Sequence, residues 1–380
     1  MPAAAKTKRT RSLTDKESGK VWGYTLQGLE ATIESGTAAK PRQRAKKFST
    51  ADQANDYLVK EEWKKLKAGY TLQNPDAKPG EPLHRVLLGG ASTGQLPLVQ
   101  VGEDLLTTRY DASTDSLVKL TSSGSMSAVA QVPKQSLVLD LCSSAETQRL
   151  CVNADHHILA WDPAAPKKFN ALNKGKAAPA SCMAVGGRRI ALYDAPNIVV
   201  QDVETSDSVM AIECKPESYG GHTPQLCVAL TQDGNQLAVC SKSGMIDVYR
   251  VDDGTKIGDI QADFQFIEEL QFDSSGTLLV GNGQYGPWGP IFFDLKSMSR
   301  IDPPIKLPSL SDGATHFALH PERRMFAVTS MDQLTVFDLD QPKPKRTIVL
   351  EHVVKNSGVG FWGDDFAVRT DLGCLTVYRI

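Results

Sequence analysis

The chain has 380 residues, 41% hydrophobic and 23% charged, with a net charge of −2. That length suits two or three domains, or one large repeat fold with a small companion. No apolar run approaches the roughly 18 residues of a membrane span, and no apolar segment follows the basic opening MPAAAKTKRTR, so neither a membrane anchor nor a secretory signal is expected.

The charge is unevenly divided. Residues 1–80 hold 16 Lys/Arg against 9 Asp/Glu, and residues 81–380 hold 26 against 35. A basic first part leading an acidic second part suits an anionic partner for the first, or a solubilising tail. The seven cysteines are odd in number, none has CxxC spacing, and most sit inside apolar runs. They read as free buried thiols in a reducing compartment, cytoplasmic, or nuclear in a eukaryote, with no zinc site.

Residues 1–19 are rich in Lys, Thr and Ser, with almost nothing to bury, and are expected to be a disordered basic tail. Residues 20–73 read as a small α+β unit. Trp22, Tyr24 and Leu26 alternate with Val21, Gly23 and Thr25 as a half-buried strand should, and Ala31–Glu34 makes a second strand. Lys40, Arg42, Arg44, Lys46 and Lys47 then lead to Phe48. Thr50 and Gln53 form a capping box that opens a helix, its apolar stripe being Ala51, Ala54, Leu58, Val59, Trp63 and Leu66, with Gly69 at its end.

On the opening strand through Trp22, the basic approach to Phe48 and the segment from Ser49 to Tyr70, this unit resembles a WGR domain. That module occurs in several poly(ADP-ribose) polymerases and many bacterial proteins. The resemblance covers about 54 residues and implies contact with nucleic-acid backbone through the Trp-Gly-Arg motif and nearby basic residues. Here the motif position reads Ser35-Gly36-Thr37, so only its glycine is kept. Lys40, Arg42, Arg44, Lys46 and Lys47 remain as nucleic-acid-binding candidates; five phosphate contacts would give a log–log salt slope of about −4 to −5. The plainer reading is a sheet edge kept soluble by lysines. Residues 74–82, rich in Pro and Gly, are expected to be a linker and the domain boundary.

From residue 83 onward the chain repeats. His222–Val251 reads as three short strands with Gly234 and Gly244 in its turns. Equivalent third-strand ends recur at Lys119, Trp161, Gln201, Tyr249, Phe293, Phe337 and Tyr378, at intervals of 42, 40, 48, 44, 44 and 41 residues. A period of about 40–45 residues with four strands per unit resembles WD-type repeats and implies a β-propeller. The last unit, from Gly358, has room for three strands, so Leu83–Leu88 is expected to supply the fourth and close a seven-bladed ring over 83–380. The fold expected is all-β, a seven-bladed propeller preceded by the small α+β unit. Asp155, Asp194, Asp332 and Asp371, each in the second turn of its unit, are expected to hold those turns.

Few motifs point to chemistry. Gly281, Gly283 and Gly286 spell GxGxxG, but Pro287 and Pro290 deny it the helix a dinucleotide needs. Gly90, Ser92 and Gly94 spell GxSxG without a nucleophile elbow. His156 and His157 lack further ligands at zinc spacing. No cofactor and no catalytic set is expected. The turns between second and third strands share one face of a propeller with the links between units, and there Tyr285, Trp288, Tyr219, His222 and Phe264 are the protein-binding candidates. A non-enzymatic protein-binding scaffold is the function expected. The alternatives are a nucleic-acid-binding regulator acting through the basic unit, and a ligand-binding or catalytic ring using its central channel.

Overall fold

The computed structural model describes residues 8–90, 96–111, 114–133, 137–155, 157–174, 183–219, 223–307 and 315–380. The N-terminal elements are β1 (Lys8–Asp15), β2 (Lys20–Gln27), β3 (Glu30–Thr37), β4 (Lys40–Lys47), α1 (Ala51–Lys67), β5 (Tyr70–Gln73) and β6 (Pro82–Leu87).

β1 corrects the expectation of a disordered tail. Residues 1–7 lie outside the described residues, but Lys8–Asp15 is a strand between β2 and β5, with Leu13 opposite Trp22 on one side and Leu72 on the other. Its one apolar residue, Leu13, is wholly buried. Its arginines are fixed by carboxylates from distant segments, described below, and composition could not register those. The small unit therefore begins at residue 8, not 20. α1 lays Leu58 and Leu66 on Leu13, Trp22, Tyr24 and Ile33. Thr50 accepts a hydrogen bond from the Gln53 amide (3.2 Å), the first half of the expected capping box, while the Gln53 side chain accepts from the Ser49 amide (3.3 Å) rather than from that of Thr50.

Residues 74–82 are not a free linker. They form the connection between β5 and β6, which pair directly, Leu72 facing Arg85. The Asn74 amide donates to the Leu83 carbonyl (2.8 Å) and the Gly80 amide to the Arg379 carbonyl (2.6 Å). β6 also pairs with the last strand, Cys374–Tyr378, with Val86 opposite Leu375. One nine-stranded sheet thus runs from Ser357–Trp362 through Asp365–Thr370, Cys374–Tyr378, β6, β5, β1, β2 and β3 to β4. The expected boundary is a seam within a continuous sheet.

Between β6 and that final segment the chain makes six four-stranded antiparallel sheets in sequence order, a propeller arrangement. Their first strands are Leu98–Val101, Val138–Ser143, Met183–Gly186, Cys227–Leu230, Phe266–Phe272 and Thr315–Leu319. Each touches the first strand of the next, and Ser357–Trp362 touches both Thr315–Leu319 and Leu98–Val101, so the circle closes. Closure requires Gly358: a Cβ there would lie 1.8 Å from the Leu96 carbonyl oxygen. Apolar residues from adjacent sheets interleave between them, as where Ile246 and Val248 meet Ile267, Leu279 and Phe293.

The turn aspartates act across segments. Asp155 accepts from the Leu137 amide (3.1 Å), Asp194 from that of Lys174 (3.2 Å), and Asp371 from those of Val354, Lys355 and Asn356 (2.9, 2.9 and 3.1 Å). Each binds a second turn to the link entering its own sheet. Asp332 does not repeat this: its backbone carbonyl accepts from Leu350 (2.6 Å), just past the fourth strand of its own sheet, and among the described residues its exposed carboxylate makes no such tie.

Candidate functional site

Strand direction gives the ring two ends: one carries the links and second turns, the other the first and third turns. Among the described residues, the link end gathers most of the exposed apolar side chains. Among the described residues, the exposed large hydrophobics are Leu29, Tyr110, Val209, Ile257, Tyr285, Trp288, Met331, Val349, Val354 and Leu372. All but Leu29, Val209 and Ile257 sit in second turns, in links or at strand tips facing the link end. Such side chains scattered singly need no explanation, but their concentration at one end does.

The sharpest feature is the turn Tyr285–Trp288 in the fifth sheet. The flanking strands run to Gln284 and resume at Gly289, so this loop is shorter than the run Gly281–Pro290 suggests. Tyr285 is 53% exposed and Trp288 44%. Their rings lie 5.8 Å apart, and Phe266 meets Tyr285 edge-on at 6.1 Å. Tyr285 sits at φ +62° and Met331, in the next second turn, at φ +52°. The left-handed region is uncommon for bulky residues, and here it holds apolar side chains in solvent. The remaining candidates fare differently. Phe264 is 2% exposed and packs against Phe293 at 6.0 Å, so it is a core residue; the sheet's own inward face claims it. Tyr219 pairs with Thr223 in a two-residue ladder. His222 and His156 lie outside the described residues, as does Ser92, while His157 is exposed at a strand end.

Inside this end, two carboxyls stand on the first strands of their sheets. Asp140 and Glu269 lie on the first strands of the second and fifth sheets, which are not neighbours, yet Asp140 raises the pKa of Glu269. Loss of hydration pushes Asp140 up to about 7 and Glu269 up to about 8.

The opposite end is closed by ion pairs, many bridging adjacent sheets. Arg189 bonds Asp252 (2.6 Å), Arg324 reaches Asp273 (2.5 Å) and Asp340 (2.9 Å), and Arg323 pairs with Asp364. Arg188 holds Asp202 and Glu204 (3.2 and 2.6 Å). These four arginines are neutralised in place.

On the N-terminal unit, β4 is the free edge of the nine-stranded sheet. Its register puts Lys40, Arg42, Arg44 and Lys46 opposite Thr37, Ser35, Ile33 and Ala31, on the face that α1 covers further in; Lys47 points the other way. Arg44 donates to the Tyr57 hydroxyl (2.8 Å) and the Lys46 ammonium stands 3.7 Å from the Tyr57 ring centre. Among the described residues none of the five makes an ion pair.

A buried network escaped sequence reading. Glu62 of α1, on a helical stripe expected to be apolar, is wholly buried, bonded by Arg11 of β1 (2.8 Å) and Arg85 of β6. Glu351, in the link after the sixth sheet, accepts from Arg9 and Arg11 (2.5 Å each) and Arg85 (2.6 Å). Burial alone would raise both carboxyls, but the guanidiniums of Arg11 and Arg85 hold them well below the usual carboxylate range. His352 stacks on Trp63, ring centres 5.1 Å apart. Glu62, Glu351 and His352 are close enough to chelate an ion, but arginines already occupy the carboxylates, and the residues do not suit a cation. A cleft of about 780 Å³ opens beside this network, between the unit and the sixth sheet. Only the unusual Glu at a core helix position hinted at any of this. No helix among the described residues is long and apolar enough to cross a membrane.

No protein-family model and no curated protein matches the chain. Among solved structures it is similar to a chain from the crystal structure of a mitotic checkpoint complex, at 14% identity and a TM-score of 0.61 over 81% of this chain and 94% of that one. The fold is a WD40-like β-propeller.

Proposed function

We propose that the protein is a non-enzymatic scaffold whose propeller holds a protein partner on its link end. In this reading the ring has seven blades, the seventh being the three C-terminal strands completed by β6. The unbroken circle of first strands and the register of Val86 on Leu375 support that count. The N-terminal unit, a WGR-like module with residues 8–73 in its sheet and helix, is an outward extension of that closing blade. The observation that carries the function is the gathering of exposed apolar side chains at one end, on turns that hold Tyr285 and Met331 in the left-handed region. The similar solved chain is part of a mitotic checkpoint complex, which accords with this reading. Free thiols, five of the six described being buried, suit a reducing cytoplasm or nucleus. Affinity purification with the native chain and with Trp288→Ala and Met331→Asp tests it. Partners lost from both variants, with folding intact, support the face; unchanged partners remove it.

A second contact is favoured by β4, whose four same-face cations repeat about every 7 Å along the sheet edge. That row suits a phosphate backbone and would make the protein a nucleic-acid-binding regulator as well. Full-length protein should shift a labelled duplex at low salt with a steep salt slope, and replacing Lys40, Arg42, Arg44 and Lys46 by Gln should abolish the shift. Equal retention by native and variant protein would remove this contact.

A further inference from the structure

We propose that the mouth of the ring's axis, at the link end, receives a lysine or arginine side chain from the protein partner. Asp140, Glu269 and Asn282 supply the acceptors, with Tyr285 and Trp288 as an aromatic rim beside them. The inference rests on the reading of this end as the partner-binding face and names the chemistry of what binds there.

Three observations converge. The first is charge. The first strands lining the axis carry Asp140, Glu268, Glu269 and His316 and neither lysine nor arginine. Glu268 accepts from Gln284 (3.0 Å), and His316 is engaged with Asn356 (2.8 Å). Among the described residues Asp140 accepts only from its neighbour's amide, Leu141 (2.8 Å), and Glu269 from Gln271 (2.5 Å). Two half-buried carboxyls thus bond no cation among the described residues.

The second is backbone geometry. The strands bearing Asp140 and Glu269 break register at the same place, between Val138 and Asp140 and between Ile267 and Glu269. A bulge re-aims a side chain, and each acid follows one directly on a first strand. Both lie two or three residues below the link end, about 7–10 Å at strand rise, within reach of a long basic side chain whose methylenes would pass the aromatic rim.

The third is an acceptor without a donor. Asn282 is directly opposite Glu269 in the ladder and shares its face of the sheet. It is 1% exposed; its Nδ2 donates to the Thr315 carbonyl (2.7 Å), while its Oδ1 has no partner among the described residues. A buried acceptor left unpaired is costly. An ammonium or guanidinium supplies both the missing charge and the missing donors.

The test uses full-length protein and fluorescent nonapeptide pools with randomised flanks and a fixed central Arg, Lys, citrulline or norleucine. Anisotropy should show the Arg or Lys pool binding at least ten-fold tighter than its neutral counterpart. The double variant Asp140→Asn/Glu269→Gln should lose that preference. Its thermal midpoint should stay equal or rise, because uncompensated acids have been removed, which separates lost binding from lost folding. Calorimetry near pH 7 in two buffers should detect proton release on binding to the native protein and none with the double variant, since a cation favours the ionised carboxylates. Equal binding of neutral pools, a preference that survives in the double variant, or no binding of any cationic pool at millimolar concentration would overturn the inference. Charge-blind binding that Trp288→Ala abolishes would do so while leaving the docking face itself intact.

Discussion

The two ends of the ring solve the same problem in opposite ways. Both present tight turns to solvent. At one end the turns carry arginines and aspartates that pair between adjacent sheets, as Arg189 does with Asp252 and Arg324 with Asp273. At the other, among the described residues, they carry Tyr285, Trp288, Met331 and Leu372, all exposed. The strands beneath are alike, so the difference is not demanded by the fold.

That contrast can be broken experimentally, and the largest effects lie just below the surface. Glu62→Ala leaves Arg11 and Arg85 buried without one of their two carboxylates, and about 3–5 kcal/mol of stability should disappear, read by chemical denaturation. Phe264→Ala should cost a similar ~3–5 kcal/mol, whereas Trp288→Ala, on the same end, should change stability by less than about 0.5 kcal/mol and act only on binding. Comparable losses for the two would mean that Trp288 is part of the fold.

A smaller effect concerns pH. Asp140 and Glu269 keep their protons in the folded chain to about pH 7 and 8, higher than in an unfolded chain. The folded state therefore binds more protons between about pH 4 and 8, and these two groups make stability fall as pH rises through that window. Thermal unfolding at pH 5 and pH 8 should show the decline, and Asp140→Asn/Glu269→Gln should flatten it; an unchanged slope would place both carboxyls in ordinary solvent. Smallest of all, Arg189→Ala at the ion-paired end should cost less than about 1 kcal/mol and less still in high salt. A loss of several kcal/mol there would make that end a structural clamp.

Sequence reading reached the repeating strands because their signals are local. The first strands begin within a few residues of the expected starts: Cys227 against His222, and Ser357 against Gly358. Asp155, Asp194 and Asp371 likewise declared themselves by position. At the candidate site, Tyr285 and Trp288 were legible because glycines and prolines mark an exposed turn. Phe264 was misjudged because an aromatic in a link looks the same whether it points out or in. Glu62 went unnoticed as a buried charge since helical periodicity says which face is covered, not what covers it.

Periodic apolar residues and turn chemistry determined, from the chain alone, that short strands would repeat every 40 or so residues and fold as radial sheets. Tertiary structure alone decided that the N-terminal unit continues the closing sheet, that Arg9, Arg11 and Arg85 share two distant carboxylates, and that Asp140 raises the pKa of Glu269. The reason is physical. Strand and turn preferences act over a few residues, whereas pairings between β6 and the C-terminal strand, or between acids on opposite sides of an axis, exist only after the ring has closed and drawn together segments far apart along the chain.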